Sequence, residues 1–227
     1  MKRKSILTAI AILFIALSSI AQSSKESKKK EDKQSDLLDF SAFKGKTNSE
    51  TSTFTDSRDG KTYKTVKIGT QTWMAENLAY KASSGCWAYN DTLSYVSTYG
   101  YLYNWETAKT GCPSSWHLPS DAEWTTLIDY LGGKDIAGGK LKSSTGWYNW
   151  NVSNKKQTNS SGFTALPGGE RDSDGNFEGV EYRTFWWSST LYDPGVFWFF
   201  FLEHSDIAIG KNANAKIYGY SVRCIKD

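Results

Sequence analysis

Cys112-Pro113-Ser114-Ser115-Trp116-His117-Leu118-Pro119-Ser120-Asp121-Ala122-Glu123-Trp124 is the stretch on which the reading of this chain turns. Ser120 is a favourable N-cap, and Glu123, three residues on, completes a capping box. Trp124, Leu127, Ile128 and Leu131 then recur at i, i+3, i+4 and i+7, which is one apolar stripe of a helix. Asp121 and Glu123 suit the positive end of the helix dipole, and Gly132-Gly133 stop it. Just upstream, Leu102, Trp105 and Ala108 at three-residue spacing predict a shorter helix ending at Gly111.

On either side of these helices the pattern is different. Asp56 to Gly60 is turn chemistry. Thr62 to Ile68 alternates, Gly69-Thr70-Gln71 turns the chain, and Thr72-Trp73-Met74 begins a second strand, so a hairpin is predicted. After Gly133 no lasting period survives through the Gly-, Asn-, Ser-, Trp- and Tyr-rich residues 138–163. Short strand candidates follow at 163–166, 177–182, 185–189, 196–202, 208–209 and 220–225, separated by turn residues. The expected fold is α+β, a single domain over 54–227 with two helices and many short, mainly antiparallel strands.

The N-terminal part reads as something else. Lys2, Arg3 and Lys4 precede an apolar run from Ile6 to Leu17. Ser19 and Ala21 then provide small residues ahead of a cut before Gln22, the layout of a secretory signal peptide over 1–21. The apolar run is too short to span a bilayer, no Cys follows it as a lipid-attachment site, and no other segment is long enough to cross. The protein is therefore expected to be exported, to the periplasm, cell surface or exterior. Residues 22–36 are wholly polar, and 22–53 are read as a solvated, charged tether.

Charge excludes one function class. The formal balance of 27 Lys+Arg against 24 Asp+Glu gives +3, and Lys2, Arg3 and Lys4 account for that excess. A near-neutral mature chain with no clustered basic face is not expected to bind nucleic acid. What stands out instead is the aromatic content: 10 Trp, 13 Tyr and 11 Phe.

Several blocks, taken in order, resemble a known family. They are Asp59-Gly60-Lys61-Thr62-Tyr63 through Gly69, Gln71-Thr72-Trp73-Met74-Ala75-Glu76-Asn77-Leu78, Tyr99-Gly100-Tyr101-Leu102-Tyr103-Asn104-Trp105, and the opening stretch itself. Gly162-Phe163-Thr164-Ala165-Leu166-Pro167-Gly168-Gly169, Trp186-Trp187-Ser188-Ser189-Thr190 and Gly219-Tyr220-Ser221-Val222-Arg223-Cys224 complete the series. Together they resemble the Fibrobacter succinogenes major paralogous domain, a family common in secreted proteins of Bacteroidetes and Fibrobacter, which brings no established activity. At longer range that family is similar to the C-type-lectin-like fold shared with formylglycine-generating enzymes. The resemblance implies a disulfide between Cys112 and Cys224. Many relatives carry a further Cys shortly before the Tyr-Gly motif. Here Tyr95-Val96-Ser97-Thr98 has none, and the pairing of Cys86 stays open.

Candidate chemistry is sparse. There are two His, His117 and His204, and neither a Gly-x-Ser-x-Gly elbow nor a His-Glu-x-x-His zinc pattern. The paired late cysteines of formylglycine-generating enzymes are missing, since only Cys224 lies in that part of the chain. A non-enzymatic protein without a cofactor is expected. Asp172, Asp174, Asn176 and Glu178 alternate around a turn and are the candidate calcium ligands, although Gly175 stands too early for an EF-hand and the sugar-binding triplets of C-type lectins are absent. Glu170, Asp172 and Glu181 are the only dense acidic set that a hydrolase reading can use. Trp147, Tyr148, Trp150, Trp186, Trp187 and Trp198 are the candidate ligand-binding aromatics, for a glycan or a cell-surface protein. Against this, the run Phe197 to Phe201 can be core if both sheet faces are covered.

Overall fold

The computed structural model describes residues 51–148 and 157–227. The expected signal peptide, most of the tether and Trp150 lie outside them. The strands are β1 (Thr51–Thr55), β2 (Thr62–Ile68), β3 (Gln71–Met74), β4 (Cys86–Trp87), β5 (Leu102–Tyr103), β6 (Trp116–His117), β7 (Gly168–Arg171), β8 (Phe177–Val180), β9 (Arg183–Asp193), β10 (Val196–Glu203), β11 (Gly210–Ala215) and β12 (Ile225–Lys226). The helices are α1 (Val96–Tyr99), α2 (Trp105–Gly111), α3 (Asp121–Tyr130) and α4 (Lys134–Leu141).

The strands form one sheet in the order β1-β2-β3-β12-β6, a second in the order β11-β10-β9-β7-β8, and the small pair β4-β5. Among the described strands only β7 and β9 pair in parallel. This is an α+β domain, as expected, with helices added to mainly antiparallel sheets.

Alternation along β9 and β10 explains why so many rings can be buried. Successive side chains of a strand point to opposite faces. Phe185, Trp187, Phe197 and Phe199 therefore enter one core, with Tyr63, Met74, Leu78 and Tyr220. Trp186, Phe200 and Leu202 enter the other, with Trp73, Trp124, Leu127 and Phe163. The β9–β10 pair is covered on both faces, so consecutive aromatics can enter core on alternate sides, while Trp198 and Phe201 stay partly buried. Trp124 of α3 stacks on Phe200 with ring centroids 5.0 Å apart. Each such ring, fully buried, contributes about 1.5–3 kcal/mol.

Several local expectations are corrected. Four helices are present among the described residues rather than two. The additional α4 contains Gly138 and Gly139, poor helix formers. Glycine is required there because the helix packs against 207–208 too closely for a side chain: a Cβ at Gly138 would lie 2.5 Å from Ala208 O and 2.6 Å from Ile207 O. Residues 163–166 form no strand, only an isolated bridge between Lys142 and Ala165. There Thr164 sits at φ 56°, held by Asn159, whose Oδ1 accepts the Thr164 N–H at 2.8 Å. The strand expected at 208–209 begins instead at Gly210. Of 220–225 only the end joins a ladder, while Tyr220 and Ser221 make single bridges to Tyr103 and Trp186. At the other end, β1 starts at Thr51, inside the segment read as tether, and pairs with β2 in register Thr55↔Thr62.

Cys112 and Cys224 form the disulfide that the resemblance implied, with Cα atoms 5.9 Å apart. It ties the segment after α2 to the segment before β12. Cys86 is a free thiol whose Sγ–H faces Ala82 O at 3.4 Å, and burial pushes its pKa up.

Candidate functional site

The most distinctive sequence blocks converge on a buried polar knot. Asn77 Oδ1 accepts from Arg223 Nε at 3.0 Å, Arg223 Nη2 at 2.8 Å and Trp186 Nε1 at 3.0 Å. Asn77 Nδ2 donates to Tyr99 O at 2.9 Å and Ser221 Oγ at 3.2 Å. Arg223 Nη1 donates to Phe163 O at 2.6 Å and Met74 O at 3.3 Å. Arg223 is 1% exposed, and burial draws its pKa down to about 9, so it stays charged at neutral pH. Its guanidinium lies 4.4 Å from the Phe163 ring centroid. Five separated blocks are thus locked together with their donors satisfied, a structural role for the residues that carry the resemblance.

The expected aromatic ligand set divides. Trp186 and Trp187 are fully buried and Trp147 is 6% exposed, which corrects the expectation that they form a stacking surface. Trp186 and Trp187 are core for the reason that alternation on a twice-covered sheet gives, whereas Trp147 lies outside any strand and is held by its bond to Ala165 O. Trp198 is half-buried. Tyr192 meets it edge-on at 4.6 Å, and Lys211 Nζ lies 3.9 Å above it. Tyr148 remains on the surface, 49% exposed.

Tyr148 does not stand alone. Its ring stacks on that of Tyr182, centroids 4.7 Å apart and planes at 22°, and Tyr182 is itself 40% exposed. His204 stands edge-on to both rings, at 5.8 Å from Tyr148 and 5.1 Å from Tyr182. The backbone holds these three together. Tyr148 N–H donates to Glu181 O at 2.8 Å, and His204 N–H donates to Tyr182 O at 2.7 Å. Below the surface, Trp147 Nε1 donates to Ala165 O at 2.9 Å and anchors the residue before Tyr148. Two adjacent exposed rings with a polar imidazole at their edge form a platform that offers π faces, two phenol hydroxyls and ring nitrogens. Tyr182 was not singled out from sequence, and His204 was noted only as one of two His, not as part of a binding surface. The β9–β10 register Arg183↔Glu203 brings 182 opposite 204, and no local pattern announces that pairing.

The remaining expected residues are separately placed. Asp172 closes its own turn: Oδ1 accepts the N–H of Asp174 at 2.9 Å and of Asn176 at 2.8 Å, and Oδ2 accepts Asn176 Nδ2 at 3.0 Å. These bonds, first that from the Asn176 side chain, lower the pKa of Asp172. Asp174, Asn176 and Glu178 are exposed. Among the described residues no group of three or more His, Cys, Asp or Glu side chains is placed to hold a metal. Glu170 is half-buried on β7, in register with Glu178 of β8, and burial pushes its pKa up to about 7. Glu181 is exposed with φ 69°. His117 bridges two carboxylates, Nδ1 to Asp227 Oδ1 at 2.6 Å and Nε2 to Glu123 Oε1 at 2.8 Å. It joins the end of β12 to the capping box of α3.

No helix among the described residues is long and apolar enough to cross a membrane. The family model described as the Fibrobacter succinogenes major domain matches residues 66–226. No curated protein and no solved structure matches the chain.

Proposed function

The chain belongs to the Fibrobacter succinogenes major domain family, and from that premise we propose that it is an exported, non-catalytic binding module. Its ligand is a glycan or another cell-surface molecule, received on the Tyr148–Tyr182 platform. One observation carries this reading: two large rings, 49% and 40% exposed, are stacked on each other at the surface of a domain that buries most of its other aromatics. A saccharide presents C–H groups to an aromatic face and hydroxyls to polar groups at its rim, which suits a ring pair edged by His204. Export is supported by the layout of 1–21 and by the Cys112–Cys224 disulfide, a bond that persists in oxidising compartments. The likeness to C-type-lectin-like domains, whose loops present binding sites, adds an argument by analogy.

A second reading, as a structural component of a cell-envelope assembly, is favoured by a separate feature. Leu191 and Tyr192 near the β9–β10 turn are 53% and 59% exposed, and exposed apolar groups of this kind mark protein contacts.

The test is a glycan array probed with the full chain and with Tyr148→Ala/Tyr182→Ala. The expected result is saccharide binding by the wild type that falls about tenfold or more in the double variant. Binding unchanged in the double variant, or no saccharide bound by the wild type, overturns the reading. Cross-linking that captures a protein through Tyr192 favours the assembly component instead.

A further inference from the structure

We infer that Lys142 is the positioning residue of the aromatic platform, an inference that rests on reading this platform as the binding surface. Lys142 follows α4 as its C-cap and is fully buried. A buried ammonium is costly unless its donors are satisfied. Its Nζ donates to the carbonyl oxygens of Glu203 and Asp206. Those two carbonyls bracket His204, so the ammonium clamps the turn that carries the imidazole. The same Nζ lies 4.4 Å from the ring centroid of Trp147, the residue immediately before Tyr148. One buried cation therefore touches both halves of the platform: the chain leading into Tyr148 and the turn that sets His204 against Tyr148 and Tyr182.

The surroundings make this clamp specific. Gly139 N–H donates to Ile207 O at 2.8 Å, and Ile209 N–H donates to Lys134 O at 2.9 Å. Asp206 Oδ1 accepts the N–H of Ile207 at 2.7 Å. α4 thus lies flush against 207–209, and Lys142 extends that contact to Glu203. A neutral side chain of similar length would fill the space but take the ammonium away from the carbonyls of Glu203 and Asp206, leaving Glu203 O with the weaker Asp206 N–H bond at 3.2 Å. No surface change would accompany it, which separates a positioning role from ligand contact.

The test compares the full chain with Lys142→Met by NMR. The His204 ring protons, shifted by the currents of Tyr148 and Tyr182, are expected to move towards free-imidazole positions. The buried indole N–H signals of Trp186 and Trp187 are expected to keep their wild-type positions. A folded variant with unmoved His204 signals overturns the inference. Where the variant does not fold, hydrogen exchange in the wild type decides. A common clamp makes the Tyr148 and His204 amides open together with similar protection, and a difference of about tenfold or more overturns it. Neither readout uses a ligand. A wild type that binds no saccharide therefore overturns the binding reading alone and leaves the positioning role to these measurements.

Discussion

Asn77 Oδ1 is the acceptor for three buried donors, two of them on the Arg223 guanidinium. Truncating it leaves Nε and Nη2 of the fully buried Arg223 and the Trp186 indole N–H without their acceptor. Asn77→Ala is expected to destabilise the domain by about 3 kcal/mol, because a buried charged donor loses its main partner. Urea unfolding followed by Trp fluorescence checks this, with the midpoint lowered and the m value unchanged. Glu170 gives a prediction of opposite sign. Its folded pKa, raised by burial from 4.5 to about 7, means that the folded state favours the protonated carboxyl. The stabilising contribution of that proton is complete below pH 4.5, the unfolded value. It is lost as pH rises through about 7, with a span of about 2–3 kcal/mol. Glu170→Gln is expected to abolish that slope, so that it exceeds the wild type in stability above pH 7 when melting temperatures are compared across pH. Both residues stand in plain view in the sequence. Their roles were not legible because Asn77 meets Arg223 across 146 positions, and Glu170 acquires its environment only from the packing of β7.

At the scale of elements, what is local was legible. The capping box at the start of α3 is present as read: Ser120 Oγ accepts the Glu123 N–H at 3.3 Å, and Glu123 Oε2 accepts the Ser120 N–H at 2.8 Å. Ser120→Ala is expected to cost about 1 kcal/mol, measurable as a lowered thermal midpoint with the folded-state spectrum intact. The hairpin of β2 and β3 was equally readable, since alternation and the Gly69 turn are short-range signals. α4 was not readable. Its Gly138-Gly139 pair argues against a helix, and only the carbonyls of Ile207 and Ala208 pressed against that position explain it. β11 was misplaced for a related reason: its residues, Gly-Lys-Asn-Ala-Asn-Ala, lack strand-forming side chains. It is a strand because β10 pairs with it over Val196↔Ala215 to Phe201↔Gly210. Asn212 and Asn214 then accept the N–H of Ala213 and Ala215 at 2.8 and 2.9 Å. Those donors are thereby withheld from any strand that would add to this edge.

For the whole molecule, the Cys112–Cys224 bond closes a separation of 112 residues, and cross-linking so long a loop is worth about 4–5 kcal/mol in the chain-entropy account. Replacing both cysteines by Ser is expected to lower unfolding free energy by about 2–5 kcal/mol, checked by denaturant titration against the oxidised wild type. That bond was foreseen through the resemblance, whereas the α+β class was read from the helical stripes and the strand alternation. The sequence by itself determined the elements whose signals span a few residues: the capped stripe of α3, the β2–β3 hairpin and the balance of charge. It also set the supply of rings that must be hidden. Only the tertiary structure decided which rings those are. A run of aromatics carries no record of how many sheet faces will be covered, so Trp186 and Trp187 entered two cores while Tyr148 stayed outside. The platform of Tyr148, Tyr182 and His204 exists because strand register and a buried ammonium bring distant segments together, and contacts of that range have no local pattern from which to be read.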